Sequence, residues 1–132
     1  MEVEFILYVG DLAKSRDLYA ALLDRAPALD VPGMVEFHLD GCKLGLMPNR
    51  GIARIIAPPL PDPASGNGVP RCELYLLMED AEAILHRAER IGLDPVSAFQ
   101  DRDWGHRVAY YADPDGHVIA VASPVTSFGT SP

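Results

Sequence analysis

Two stretches of the chain carry the same alternation of polar and apolar positions. Glu4-Phe5-Ile6-Leu7-Tyr8-Val9-Gly10-Asp11 and Glu73-Leu74-Tyr75-Leu76-Leu77-Met78-Glu79-Asp80 each read as a strand running into a helix cap. In the first, over about residues 2–9, Phe5, Leu7 and Val9 share one side, and Glu4, Ile6 and Tyr8 share the other. That period of two marks a half-buried strand. Its wholly apolar side is expected against a helix, and the side bearing Glu4 should face whatever the sheet encloses. Asp11 suits the N-cap of a helix reaching about residue 24, with Leu12, Ser15, Tyr19, Leu22 and Leu23 along one stripe and Pro27 as its stop. A short extended piece then leads to a strand over 34–39. Asp40-Gly41, a two-residue hairpin signal, precedes another over 42–47.

The second half repeats this order. A strand over 71–78 places Glu73, Tyr75 and Leu77 on one face. A helix capped by Asp80 follows, with Ala83, Ile84, Arg87, Ala88 and Ile91 spaced for one buried side and Gly92 at its end. A short strand over 95–99, a loop Asp101-Arg102-Asp103-Trp104-Gly105, and strands over 106–112 and 117–122 complete it. Asp113-Pro114-Asp115-Gly116 is the turn between the last two, with Pro second and Gly fourth.

Each half is therefore β-α-β-β-β. The expectation is an α+β fold of two tandem modules, residues 1–48 and 71–124, forming a half-open barrel-like sheet around a concave cavity within one domain. Residues 49–70 hold five prolines and Ser65-Gly66-Asn67-Gly68, so they read as a connector and not a packed element. Within them, Ile52-Ala53-Arg54-Ile55-Ile56 is apolar enough to lie across a surface, as a flap over the cavity or an arm onto a partner subunit; both remain open. The tail over 125–132 is rich in Ser, Thr, Pro and Gly and is expected to fray.

Composition narrows the function classes. A chain of 132 residues buries roughly two-thirds of its unfolded surface. Its net charge of −8 lacks the basic footprint that nucleic acid requires and weakly favours cationic ligands. No apolar run approaches the ~20 residues of a membrane span, and acids stand where a signal peptide carries bases. The expectation is a cytoplasmic protein with no nucleic-acid or membrane partner. Cys42 and Cys72 read as small buried hydrophobes, not as a disulfide or as nucleophiles. No Gly-rich phosphate loop is present.

The remaining chemistry sits on strands and in one loop. Glu4 and Glu73 occupy matched positions; facing one cavity, they would repel each other, raise at least one pKa and attract a cation. Tyr8 and Tyr75 share their parity. Glu36 and His38 share a strand face. Trp104, the only tryptophan, offers a platform for a planar or cationic ligand or else anchors its loop. Arg107 suits a carboxylate or phosphate but equally neutralises Asp101 or Asp103. His86 and His117 read as a surface and a turn-bracing residue. Between Tyr110 and Tyr111, parity depends on whether the turn holds a bulge.

Tyr8-Val9-Gly10-Asp11-Leu12, with Ser15 and Leu18-Tyr19 following, and Trp104-Gly105-His106-Arg107-Val108 before Asp113-Pro114-Asp115-Gly116-His117-Val118-Ile119 resemble the vicinal oxygen chelate superfamily. It includes glyoxalase I, extradiol dioxygenases, fosfomycin-resistance enzymes and bleomycin resistance proteins. The resemblance implies paired β-α-β-β-β modules, a homodimer and a small-molecule site on the concave face, with His106 in a loop like the family's site-edge loop. Metal-binding members use a first-strand residue seven before the helix-cap Asp and a last-strand residue four after the hairpin Gly. Here those positions hold Glu4 and Glu73, then Gly45 and Ala120. Two of the four lack a donor atom. The resemblance thus implies the metal-free, bleomycin-resistance-like branch: no cofactor, and sequestration of a small cationic or aromatic ligand. Glu4, Tyr8, Glu36, His38, Glu73, Tyr75, Trp104, His106 and Arg107 are its expected binding residues. Catalytic residues are not assigned. The alternative is a divalent-metal-dependent lyase, isomerase or dioxygenase of the glyoxalase type, with Glu4 and Glu73 holding the ion.

Overall fold

The computed structural model describes residues 1–125; beyond Val125, the tail expected to fray lies outside these. The chain forms two compact units, Met1–Asn67 and Gly68–Pro132. Each carries one four-stranded mixed sheet that does not close on itself.

In the first unit, β1 (Glu4–Val9) leads to α1 (Leu12–Leu23), then β2 (Leu29–Val31), β3 (Met34–Leu39) and β4 (Cys42–Pro48). The sheet order is β1-β4-β3-β2. β1 and β4 are parallel and the other pairs antiparallel. Asp11 caps α1 as its composition predicts, its side chain accepting from Lys14 N at 3.0 Å. Ser15, Tyr19, Leu22 and Leu23 are the buried stripe. The helix ends before Pro27, because Asp24 adopts the left-handed conformation at φ +53° and its N–H bonds back to Ala20 O. Val9, Val35, Phe37, Leu44 and Leu46 are buried, all from the sheet face that carries Leu7.

One expectation fails here. Asn49–Ile56 is a helix, α2, and Pro63–Gly66 is a short 3-10 turn, so the connector is partly structured. All five prolines lie beyond Ala57, and composition averaged over 49–70 hides the helical spacing of Ile52 and Ile56. Pro48 sits just outside the helix at φ −69°, where its missing N–H costs nothing. Ile52 is buried, whereas Ile55 is exposed.

In the second unit, β5 (Glu73–Leu77), α3 (Glu82–Arg90), β6 (Asp94–Asp101), β7 (His106–Ala112) and β8 (Val118–Pro124) repeat the pattern with sheet order β5-β8-β7-β6. β5 and β8 are parallel, like β1 and β4. Asp80 Oδ1 accepts from Glu82 N at 2.9 Å, although Ala81 stands at the cap position itself. Of the expected α3 stripe, Ile84 and Ala88 are buried and Ala83 is exposed. The last hairpin keeps its turn: Gly116 N donates to Asp113 O, and Asp113 Oδ1 accepts from Asp115 N and His117 N.

The α+β expectation of two β-α-β-β-β modules is met. Among the described residues no helix is long and apolar enough to cross a membrane. Both cysteines are free, and Cys72 is exposed where a buried residue was expected.

Candidate functional site

Strand register decides which candidates meet. In the first unit, Glu36 lies opposite Gly45, and Gly45 opposite Ile6. Glu4, Ile6, Tyr8, Glu36, His38 and Lys43 therefore share one face. The carboxylate of Glu4 leans over Gly45: a Cβ there would stand 2.5 Å from Glu4 Oε2 and 3.0 Å from Ile6 Cγ1. A glycine at this position thus makes room for the acid. Oε2 is buried and has no hydrogen-bond partner among the described residues. Burial, first, and then the hydrogen bond to and the charge of Glu36 raise the Glu4 pKa above 4.5, against smaller opposing effects of Lys43 and His38. Two carboxyl groups can share a hydrogen bond only when one is protonated. His38 is exposed, and its carbonyl accepts from Arg25 Nη1 at 2.6 Å.

In the second unit, Ala120 lies opposite both Tyr75 and Tyr110. Buried Val108, Ala120 and Ala122 form a floor against which the two tyrosines pack. The small side chains leave the rings in place as walls. Tyr75 Oη stands 2.7 Å from His106 Nδ1, with the rings 5.8 Å apart and tilted by 39°. Trp104 Nε1 donates to the same oxygen at 2.8 Å. The turn presenting Trp104 closes through Arg102 N to His106 O, with Gly105 at φ +87°, a conformation that suits glycine. Trp104 thus anchors its loop while remaining 54% exposed.

Tyr110, and not Tyr111, belongs to this face. Burial first, then the Glu73 charge, keeps its hydroxyl protonated above the usual 10.0. Glu73 itself is exposed. Arg102 lies over the Tyr110 ring at 5.2 Å and donates to Ser97 Oγ, Ala98 O and Val108 O. Those acceptors lie at the irregular β6–β7 pairing, where register shifts occur between Pro95 and Gln100. Sequence reasoning missed Arg102, because nothing short of the bulge itself shows which carbonyls need a donor.

Arg107 does not join the cluster. It alternates with His106 on β7, pairs with Asp101 at 2.8 Å and sits over Phe99 at 5.8 Å. That side of the second unit holds an open groove of about 720 Å³ between α3 and the sheet, lined by Glu79, Leu85, Glu89, Phe99 and Tyr111 among others. A second groove of about 600 Å³ runs along α2, beside Arg50, Arg54 and Asp62. Neither is lined by any of the nine sequence-predicted residues. His86 is exposed on α3, 4.0 Å from Glu82.

The matched positions are short of ligands for a divalent ion. Gly45 and Ala120 offer no donor, and among the described residues no three His, Cys, Asp or Glu side chains converge.

Residues 3–126 match the family described as Glyoxalase-like domain. An uncharacterized protein of Mycobacterium bovis is 29% identical over 123 residues, 90% of this chain and 80% of that protein. One from Mycobacterium tuberculosis is likewise 29% identical, over 90% and 72%. A glyoxalase-related enzyme from Fulvimarina pelagi superposes with TM-score 0.78 at 19% identity, covering 93% of this chain and 87% of its own. A glyoxalase/bleomycin resistance protein/dioxygenase from Nocardioides gives 0.76 at 19%, covering 100% and 87%. At such identities these structures speak for the fold alone. With the family match spanning nearly the whole chain and the duplicated β-α-β-β-β modules, the chain belongs to the glyoxalase-like domain family of the vicinal oxygen chelate superfamily.

Proposed function

We propose that this protein binds a small aromatic or cationic molecule without a metal ion, on the face formed by Tyr75, His106, Trp104 and Tyr110, and holds it without transforming it. The observation that carries the reading is Trp104: the residue is 54% exposed while its N–H is tied to Tyr75, so the indole is oriented before any ligand arrives. Glu73, exposed beside Tyr110, supplies negative charge for a cation. The missing donors at Gly45 and Ala120 favour this reading over metal-assisted lyase or dioxygenase chemistry through Glu4 and Glu73. A cationic glycopeptide of the bleomycin type is the sharpest form of the ligand. A cytoplasmic homodimer is part of the same proposal. Exposed Phe5 on edge strand β1 and Leu77 on edge strand β5 support self-association, which sedimentation velocity tests.

The binding test is calorimetric titration with a planar aromatic cation, a neutral aromatic and a cationic glycopeptide, each with and without chelator. Saturable binding unaffected by chelator is expected, with Trp104→Ala weakening it about tenfold, the worth of one stacking contact. Binding that disappears with chelator, or no saturable binding of any of the three, overturns the reading.

A further inference from the structure

The three polar groups around Tyr75 constrain where their protons lie. An indole N–H can only donate, so Tyr75 Oη accepts from Trp104 Nε1. Tyr75 has one proton of its own. His106 Nδ1, 2.7 Å away, is the other partner that the hydroxyl has among the described residues. If Nδ1 bore a proton in the neutral ring, Tyr75 would accept twice. Its O–H would then find no acceptor there, in a half-buried position beside an apolar floor. The arrangement in which Tyr75 donates to Nδ1 makes every bond the trio allows and avoids that cost.

We infer that His106 carries its proton on Nε2, and that this N–H, without a partner among the described residues, is the hydrogen-bond donor which the face offers to a ligand. Trp104 acts on it through Tyr75, so Tyr75 is a positioning residue that fixes the tautomer. The inference rests on the small-molecule reading above and narrows its ligand class. The favoured occupant is a planar aromatic molecule that carries a hydrogen-bond acceptor at its edge, such as a ring nitrogen or a carbonyl oxygen. An edge that presents only donors would face a donor and lose binding. The geometry of the trio thus separates aromatic molecules of equal size and hydrophobicity by the chemistry of one edge.

The test has two readouts on the intact protein. Long-range proton–nitrogen correlation NMR of the histidine rings at pH 7.5, with His106 assigned by comparison with His106→Gln, reports the tautomer directly. Nε2–H is expected, and Tyr75→Phe should shift the ring toward a mixture. A neutral Nδ1–H ring in the wild-type protein overturns the inference whatever binds. The second readout compares quinoline with naphthalene, isosteres differing by one ring nitrogen. Quinoline should bind roughly 3- to 10-fold more tightly, the effect of one neutral hydrogen bond, and should move the His106 Nε2 signal. Equal affinities with that signal unmoved overturn the donor role while leaving the aromatic platform standing. An Nε2–H tautomer with neither molecule perturbing Trp104 would overturn the aromatic ligand class inferred here, while the small-molecule reading would stand or fall on the cation and glycopeptide titrations.

Discussion

At the scale of single residues, Glu4 shows how one missing side chain shapes the chemistry of its neighbour. Gly45 leaves the space into which Oε2 tucks, and there the oxygen has no hydrogen-bond partner among the described residues. A carboxyl whose folded pKa lies above 4.5 holds its proton more readily folded than unfolded. Its protonated form therefore supports the fold fully below 4.5, and that support is lost as pH rises through the folded value. Glu4→Gln, which mimics the protonated group, should be more stable than wild type at pH 7, and the difference should shrink to nothing as pH falls below 4.5. Urea unfolding across pH checks it; a variant less stable at pH 7 would contradict the burial of Oε2 and the raised pKa. The parities of Glu4 and of Glu36 along their own strands were legible; their proximity was not, because it needs the register of both strands against β4. The space that admits the acid was not, because it depends on which residue stands across the register. Arg107 teaches the reverse lesson: its alternation with His106 was visible in the chain, and it alone among the second-unit candidates lies on the other side of β7.

At the scale of elements, the two hairpin glycines look equivalent in sequence and differ in their surroundings. Gly41 has φ +84° and open space where a Cβ would go. Gly116 has φ +87°, and a Cβ there would stand 2.7 Å from the backbone of Gly68, which cannot yield as a side chain does. Gly41→Ala should cost about 1 kcal/mol, the conformational penalty alone. Gly116→Ala should cost about 2–4 kcal/mol, since a steric clash adds to it. Denaturant unfolding of both variants decides, and equal losses would refute the close approach. The strand and helix order was readable because alternation and caps are local. α2 escaped because its prolines follow it, and Arg102 escaped because its partners are created by an irregular strand pairing. Tyr110 was separable from Tyr111 only once the register of the last hairpin was fixed.

At the scale of the whole molecule, 19 acidic residues against 11 basic ones set a negative field around the aromatic face, to which Glu73 adds locally. A cationic ligand should feel that field and a neutral one should not. Raising salt from 50 to 500 mM is expected to weaken binding of the planar cation roughly fivefold and to leave the neutral aromatic nearly unchanged, because screening acts on charge and not on stacking. Calorimetry at several ionic strengths measures both. Equal salt responses would assign the attraction to something other than the acidic surface.

Both sheets join the first strand of a module to its last. Glu4 must find Lys43, and Glu73 must find Val118, before either edge is secured. Loop closure of that span comes at an entropic cost that hairpins avoid, so folding kinetics should be governed by these two parallel seams. Until they form, β1 and β5 are loose ends bearing apolar side chains. In a chain that writes the same strand twice, each is a plausible guest for the other's vacancy or for a neighbouring molecule's. Refolding yield that drops with protein concentration would be the kinetic signature of that duplication.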